Sequence, residues 1–149
     1  MTRAEACAMI VHALGLSGTE KQYFTDVSDD DPYAPYINVM AKMGLVCGMG
    51  DGTFQPDKQM TQQEYYTLLA RALCYLNVNY SYAMQSISQE ALDKVTDMGF
   101  HSWAVASTAL IDMAGGLCFT SGQAGPNTAI LREEAAATLY AVLVAAGVL

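Results

Sequence analysis

The sequence contains an internal repeat, and this repeat restricts the fold more than any other feature. Three similar four-residue openings, each followed by an apolar stretch, begin at Thr2, Thr61 and Leu131. The segment that begins at Phe24 also aligns, in a single register, with the segment that begins at Val95. Such self-similarity indicates a chain built from copies of one supersecondary unit, each of which buries its apolar face against its neighbours.

The three openings have the signature of helix N-termini. Thr2 and Thr61 are each followed three residues later by a glutamate, which is the capping-box pattern. Leu131 occupies the threonine position of the third opening, which predicts a weaker cap or one supplied by Thr128. Apolar residues recur behind each opening at the helical period. In the third helix the side chains expected to face inward are Ala136, Leu139, Tyr140, Leu143 and Val144.

Shorter helices and glycine-rich loops fill the intervals between the long helices. A loop with three glycines and a proline covers residues 48–56, and Thr53–Phe54 is expected to form a short β-bridge in it. A looser loop covers residues 121–126. The short helices are predicted at about 32–43, 88–96 and 102–114. We expect the three long helices to bundle together, with the short helices outside them.

The charge of the chain excludes two classes of partner. Seven Lys and Arg residues against fifteen Asp and Glu residues give a formal net charge of −8. Binding to nucleic acid or to an anionic lipid surface needs many cations, so neither is expected. The uncharged run 135–149 is shorter than the about 20 residues that span a bilayer, and no membrane insertion is expected. No apolar leader follows Met1, so we expect either an internal protein or a module of a longer exported chain.

Four cysteines are spread along the chain without the close spacing of a zinc site, namely Cys7, Cys47, Cys74 and Cys118. Because Cys47 and Cys118 occupy equivalent positions of the repeat, we expect them in different copies rather than side by side. The prediction is mostly free, buried thiols. No cofactor and no metal site is predicted.

The stretch between Phe24 and Glu64 carries several short motifs in a fixed order. They are Phe24-x-Asp26-Val27, Tyr36-Ile37, Gly44-Leu45-Val46-x-Gly48, Gly50-Asp51-Gly52-Thr53-Phe54-x-Pro56 and Thr61-x-x-Glu64. In this order and spacing the motifs resemble the S-layer homology module. The opening at Thr2 resembles the end of a preceding module, and residues 95–134 resemble a degenerate following one.

The resemblance implies a fold and a function. The fold is mainly α, a pseudo-threefold arrangement with a central three-helix bundle and short outer helices joined by glycine-rich loops. The single unit 1–149 then comprises the terminal helix of an incomplete first repeat (1–18), a second repeat (19–77) and a degenerate third repeat (78–149). The implied function is non-catalytic anchoring of a longer exported protein at the bacterial cell surface. The implied ligand is an acidic, often pyruvylated cell-wall polysaccharide, bound in the grooves between repeats.

The groove residues of the family match several positions of this chain. In the family they are the arginine of the opening, a tryptophan on the short helix and the Gly-Asp-Gly loop. The matching positions are Arg3, Arg132, Trp103, Gly50, Asp51 and Gly52. Tyr33 is the ring nearest the tryptophan position of the first complete copy, where Pro32 stands. Gln62 replaces the second arginine, and the last copy lacks the Gly-Asp-Gly-Thr-Phe sequence.

These residue types suit a carboxylated sugar, but each has a structural alternative. An arginine fork donates two parallel hydrogen bonds to a carboxylate, an aromatic ring packs on a sugar, and glycines let backbone amides approach an anion. Arg3 and Arg132 oppose the helix dipole, and either a ligand or a neighbouring glutamate offsets this. Trp103 is alternatively a core residue, and Asp51 is alternatively a turn residue.

The remaining polar residues point away from catalysis. The acidic run Asp26, Asp29, Asp30 and Asp31 lacks EF-hand spacing and predicts a solvated turn with a helix cap rather than a calcium site. His12 and His101 are isolated in the sequence, and no nucleophile–base grouping is predicted, so we expect a non-enzyme. The alternative function is a protein–protein interaction or self-assembly module that has lost glycan binding, with a homodimer through the incomplete first repeat. A third hypothesis is an accessory domain of a hydrolase.

Overall fold

The computed structural model describes residues 1–17, 21–118 and 125–149, and these form a mainly α structure, which confirms the predicted fold class. Residues 121–124 of the predicted second loop lie outside the described residues. Among the described residues no helix has both the length and the hydropathy that crossing a bilayer requires. The helices are α1 (Arg3–Ala13), α2 (Ala34–Lys42), α3 (Gln62–Leu76), α4 (Val78–Gln85), α5 (Gln89–Asp97), α6 (Ser102–Met113) and α7 (Arg132–Ala145).

The chain consists of two compact units. Unit 1 is Met1–Met60 and contains α1 and α2, and unit 2 is Thr61–Leu149 and contains α3 to α7. The predicted three repeats and the predicted central bundle of three long helices both include residues of the two units. Both therefore stay predictions.

In unit 1, α1 packs against α2. The predicted capping box begins α1: the Thr2 hydroxyl accepts from the Glu5 amide at 3.2 Å, and the Thr2 amide donates to the Glu5 carboxylate at 2.9 Å. Burying a large apolar side chain stabilises a fold by about 1.5–3 kcal/mol. The fully buried apolar side chains of unit 1 include Ile10, Val27, Ile37, Met40 and Phe54.

In unit 2, α3 packs against α6, and α6 packs against α5. A second capping box begins α3: the Thr61 amide donates to Glu64 at 2.8 Å, and the Glu64 amide donates to the Thr61 hydroxyl at 3.4 Å. The buried Tyr65 hydroxyl connects α3 to α7 by donating to the Ala135 carbonyl at 2.9 Å. Burial is also the main reason why the pKa of Tyr65 is raised.

The helix α7 turns a different face inward from the predicted one. Of the side chains expected inside, Leu139 and Leu143 are buried, but Ala136, Tyr140 and Val144 are exposed. Because α7 is apolar on nearly all sides, its periodicity permits more than one buried face, and packing selects among them. The buried residues of α7 are Glu134, Ala135, Thr138, Leu139, Val142 and Leu143.

The cap of α7 keeps one arm of the capping box. The Leu131 amide donates to the Glu134 carboxylate at 3.2 Å. Leucine has no hydroxyl to accept from the third amide of the helix, so the reciprocal bond that Thr2 and Thr61 make is missing here. A contribution of Thr128 to this cap stays a prediction.

The helix α4 was not predicted from the sequence. It begins at Asn77, whose side chain accepts from the Asn79 amide at 2.9 Å. None of its residues is buried. It therefore lacks the buried apolar stripe from which the other helices were predicted.

All four cysteines are free, as predicted, but only Cys7 is buried. Burial raises the pKa of the Cys7 thiol to about 12. Cys47 is exposed, and Cys74 and Cys118 are half-buried, so the expectation of mostly buried thiols is wrong. Equivalent positions of a repeat predict similar backbone surroundings, but the exposure of a side chain depends on what packs over it.

Candidate functional site

Each unit joins the start of a long helix to the end of a loop that lies later in the sequence. In unit 1 the backbone pairs are Arg3 with Lys58, Ala4 with Pro56 and, as an isolated β-bridge, Thr2 with Gln59. In unit 2 they are Gln62 with Thr128, Gln63 with Pro126 and, as a bridge, Thr61 with Ala129. The four helix-to-loop hydrogen bonds are 2.9–3.3 Å long. The openings at Thr2 and Thr61 are thus repeated in structure as well as in sequence.

Asp26 holds the end of the loop 48–56 in unit 1. Its two carboxylate oxygens accept from the amides of Phe54 and Gln55, both at 2.7 Å. Gln55 has a φ of 59°, a left-handed conformation that costs a residue with a Cβ about 1–2 kcal/mol. The bond from Asp26 offsets this strain. Asp26 is exposed, as a solvated turn residue would be, but sequence reasoning missed its role in fixing the loop.

The tip of this loop is a tight turn formed around Asp51. The carboxylate accepts from the Thr53 hydroxyl at 2.6 Å and from the Thr53 amide at 2.9 Å, and these bonds lower the pKa of Asp51. Gly50 and Gly52 on either side have φ of 95° and 88°, in the region that favours glycine. The Thr53 carbonyl accepts from the Met49 amide at 2.8 Å. Asp51 is thus a turn residue whatever else it binds.

The β-bridge predicted at Thr53–Phe54 is wrong. Both bridges found among the described residues lie at the junctions of helix and loop, and neither includes Thr53 or Phe54. The Phe54 amide is bonded to the Asp26 side chain, so it is not available to pair with another backbone segment.

Arg3 joins the first helix to this loop through its side chain as well as its backbone. Nε donates to the Phe54 carbonyl at 2.9 Å, and Nη2 donates to the Cys47 carbonyl at 3.1 Å. The guanidinium carbon also lies 4.4 Å from the centroid of the Phe54 ring, within the range of a cation–π interaction. Two carbonyls and a ring thus offset the cost of a cation at a helix N-terminus. These contacts use two of the five N–H donors of the guanidinium.

Tyr33 lies in unit 1 at the start of α2 and is half-buried. Its amide donates to the Asp31 carboxylate at 2.7 Å, which makes Asp31 the turn residue that precedes the helix. The ring of the next tyrosine, Tyr36, lies 4.7 Å from that of His12 on α1. The side chain of Arg3 therefore contacts the residues Cys47 and Phe54, which flank the turn of Gly50, Asp51 and Gly52, whereas Tyr33 is the N-cap of α2.

In unit 2 Gln62 stands at the position that corresponds to Arg3, and its side chain also bonds to the backbone of a loop later in the sequence. Gln62 is fully buried, and its Oε1 accepts from the Gly125 amide at 3.2 Å. Arg3 and Gln62 both hold the loop that follows, but Arg3 is only half-buried. The replacement thus keeps the link between helix and loop and removes the positive charge.

The two other predicted site residues, Trp103 and Arg132, also lie in unit 2. Arg132 is the first residue of α7 and is exposed. Trp103 lies in the first turn of α6 and is 54% exposed, so the core alternative for this residue is wrong. Its ring centroid lies 6.3 Å from that of His101.

Sequence reasoning missed a group of polar side chains beside Trp103. Gln63 Nε2 lies 2.9 Å from Asn127 Oδ1 and 3.2 Å from His101 Nδ1. Gln63 is the third residue of the opening that begins at Thr61, and the opening that begins at Thr2 has Ala4 at the same position. This exchange of an apolar for a polar residue was the only sign in the sequence that Gln63 makes side-chain hydrogen bonds. No three His, Cys, Asp or Glu side chains gather as a metal site within residues 1–17, 21–118 and 125–149.

Comparison with known proteins identifies the segment that carries the loop. The family model "S-layer homology domain" matches residues 23–65, which include Asp26 and the turn at Asp51. The chain is 39% identical over 80 residues, half of its length, to a surface layer protein of Brevibacillus choshinensis. It is 36% identical over 80 residues to the middle cell wall protein of Brevibacillus brevis.

A third relative extends the similarity to almost the whole chain. The chain is 31% identical over 149 residues, 96% of its length, to exoglucanase XynX of Acetivibrio thermocellus. The chain covers 7%, 8% and 13% of the lengths of these three relatives, so each of them is a much longer protein. The match of residues 23–65 to the S-layer homology domain confirms the resemblance predicted from the motifs.

Proposed function

We propose that the chain is a non-catalytic module that anchors a longer surface protein by binding an acidic, pyruvylated polysaccharide of the bacterial cell wall. The observation that carries the proposal is the Arg3 guanidinium, held half-buried on the loop of an S-layer homology domain. Two relatives are named as surface layer and cell wall proteins, which supports the same location for this chain. The exoglucanase activity named for the third belongs to that protein.

The geometry of Arg3 suits a carboxylate on a sugar. Its bonds to the Phe54 and Cys47 carbonyls occupy Nε and one Nη2 proton. The opposite edge, formed by Nη1 and Nη2, retains a pair of donors for a bidentate bond to a pyruvate ketal. Because the guanidinium is already oriented by its carbonyl and ring contacts, binding costs little side-chain entropy.

The net charge of −8 does not prevent binding of an acidic polymer. At physiological ionic strength the Debye length is about 8 Å, so distant carboxylates are largely screened. Two carboxylates that hold this loop, Asp26 and Asp51, already accept hydrogen bonds from backbone and hydroxyl donors. A carboxylated sugar therefore binds at the cation of Arg3.

A second candidate function is protein–protein interaction, supported by the surface around α4. The run 72–89 has no charged residue, although the chain as a whole is acidic. Within this run Tyr75, Val78 and Tyr82 are more than half exposed. Exposed tyrosines with few charges are typical of interface cores. A homodimer through the incomplete first repeat remains the alternative predicted from the sequence.

Retention of the 149-residue chain on purified bacterial cell-wall sacculi tests the proposal. We expect the chain to be retained, and chemical removal of the ketal groups to release it. Arg3→Ala is expected to lose retention, and Arg3→Lys to lose most of it, because an ammonium cannot form the bidentate pair. The matched control is Arg71→Ala, which removes an exposed arginine from the middle of α3.

Two outcomes contradict the proposal. If sacculi without ketal groups retain the chain as well as intact ones, the ligand is not the acidic sugar. If sacculi do not retain the chain at all, and concentration-dependent association appears in sedimentation velocity, the protein–protein function is favoured instead. Arg132→Ala in the same assay reports whether the arginine of α7 takes part.

A further inference from the structure

We propose that an apolar groove between α4, α6 and α7 of unit 2, the α4 groove, binds a second copy of this chain in a symmetric dimer. This inference rests on protein–protein interaction, the second candidate function, and adds the partner and the contact surface. It does not depend on glycan binding at Arg3. The residues that line the α4 groove are Tyr80, Ala83, Leu110, Met113, Ala114 and Ala145.

The size and the lining of the α4 groove suit one apolar side chain. Its volume is about 210 Å³, whereas pockets for small molecules have volumes of about 300–1,000 Å³. Apart from Tyr80, the side chains that line it are those of alanine, leucine and methionine, which carry no N–H or O–H donor. A polar ligand therefore finds few hydrogen-bond partners in this groove, whereas an apolar side chain gains by leaving water.

The distribution of charge favours a second copy over a charged partner. Each copy has a net charge of −8, so two copies repel each other wherever their charged surfaces meet. The runs 72–89, 113–131 and 135–149, which supply all but one of the lining residues, contain no Asp, Glu, Lys or Arg. Asp112, which precedes Met113, is paired with Lys94. The α4 groove thus complements an uncharged apolar surface, and the chain itself presents such a surface.

The same surface carries both the groove and a side chain that fits it. Met113 lines the α4 groove and is nevertheless 61% exposed. In a dimer with twofold symmetry the same patch of both copies is in contact, so a projecting side chain must lie close to the groove that receives its counterpart. With the twofold axis beside Met113, the thioether of each copy enters the groove of the other. Methionine suits this role because its unbranched, flexible side chain fills irregular spaces.

The surface of α4 adds contact area beyond the groove. A stable interface buries about 800 Å² on each partner, which one methionine in a small groove does not supply. No residue of α4 is buried, and Val78 and Tyr82 are each more than half exposed. Pairing of the α4 surfaces around the groove therefore removes from water apolar area that a single copy leaves exposed.

Sedimentation velocity of the 149-residue chain over a range of concentrations tests the dimer. We expect the sedimentation coefficient to rise with concentration toward that of two copies. Met113→Glu would place an unpaired charge in the groove of the partner, so the dissociation constant is expected to rise at least about tenfold. The matched control is Tyr140→Glu, which adds the same charge at an exposed residue of α7 that does not line the groove. We expect it to change the dissociation constant less than about threefold.

Methyl NMR of the methionines locates the contact. The Met113 methyl signal is expected to shift as the concentration rises, whereas that of Met9 on α1 is expected to stay constant. A shift of Met9 without a shift of Met113 would place the dimer at the incomplete first repeat instead and overturn the proposal. Added salt is expected to strengthen the association, because it screens the repulsion between the two acidic copies.

The outcomes separate the dimer from glycan binding. A chain that stays monomeric at all concentrations, or in which Met113→Glu behaves like Tyr140→Glu, overturns the dimer. If Met113→Glu lowers the melting temperature, Ala83→Glu decides, because it places the same charge in the groove from a helix without buried residues. Retention on sacculi by a monomeric chain leaves glycan anchoring standing alone. Association through Met113 without retention supports the dimer and removes the glycan function.

Discussion

The substitution Asp26→Asn tests whether the Asp26 carboxylate fixes the geometry of the loop 48–56. Asp26 accepts two amide hydrogen bonds at 2.7 Å, one from Phe54 and one from Gln55. Asparagine keeps one acceptor oxygen and turns an NH₂ group toward the other amide, so one bond is lost and two donors face each other. A hydrogen bond to a charged group contributes about 1.5–3 kcal/mol, and water replaces part of it at this exposed position. We therefore expect the free energy of unfolding to fall by about 1–2 kcal/mol.

Thermal unfolding followed by circular dichroism measures this loss. For a chain of this size the expected decrease in melting temperature is about 3–6 °C. The matched control is Asp30→Asn, which removes the same charge from an exposed residue of the same acidic run and is expected to change the melting temperature by less than about 1 °C. Equal effects of the two substitutions would show that Asp26 acts only through its charge, and the reasoning from hydrogen bonds would be refuted.

Three further predictions concern the loop and the thiols. Gly48→Ala is expected to cost about 1–3 kcal/mol in the free energy of unfolding, measured by urea denaturation, because the new Cβ would lie 2.5 Å from the Thr53 carbonyl oxygen. Because the pKa of Asp51 is lowered, its carboxylate stays ionised to a lower pH than that of a free aspartate, and its bonds to Thr53 are lost only as the pH falls through the lowered pKa. The chemical shift of the Thr53 amide in an NMR titration should therefore show a midpoint below that of a free aspartate. Cys47 should react with a thiol reagent in the folded chain, whereas Cys7, buried and with a pKa of about 12, should react only after unfolding; equal rates would contradict the described burial.

The helices that begin at Thr2 and Thr61 were predictable because their signals are local. A threonine and a glutamate three residues apart form a capping box whatever the rest of the chain does. The turn at Asp51 is equally local, since its bonds run to a residue two positions away. By contrast, α4 escaped prediction because none of its residues is buried.

The chemistry of the candidate sites was less predictable, because it depends on contacts between distant parts of the chain. The resemblance made Arg3 a candidate site residue, but the sequence did not indicate that its guanidinium is bound to the Phe54 and Cys47 carbonyls. The sequence allowed Trp103 to be either a groove residue or a core residue, and only the tertiary structure shows that its ring is exposed. Nothing in the sequence joined Gln63 to Asn127, which is 64 positions away.

The sequence alone determined the helical class, the repeated helix starts and the S-layer homology loop, because caps, turns and periodicity arise from interactions between near neighbours in the chain. The tertiary structure alone decided which face of α7 is buried, which carbonyls the Arg3 guanidinium contacts, and which way the amide of Gln63 points. Each of these features depends on contacts between residues that are far apart in the sequence. The free energy of packing and hydrogen bonding at such contacts cannot be read from a local sequence pattern.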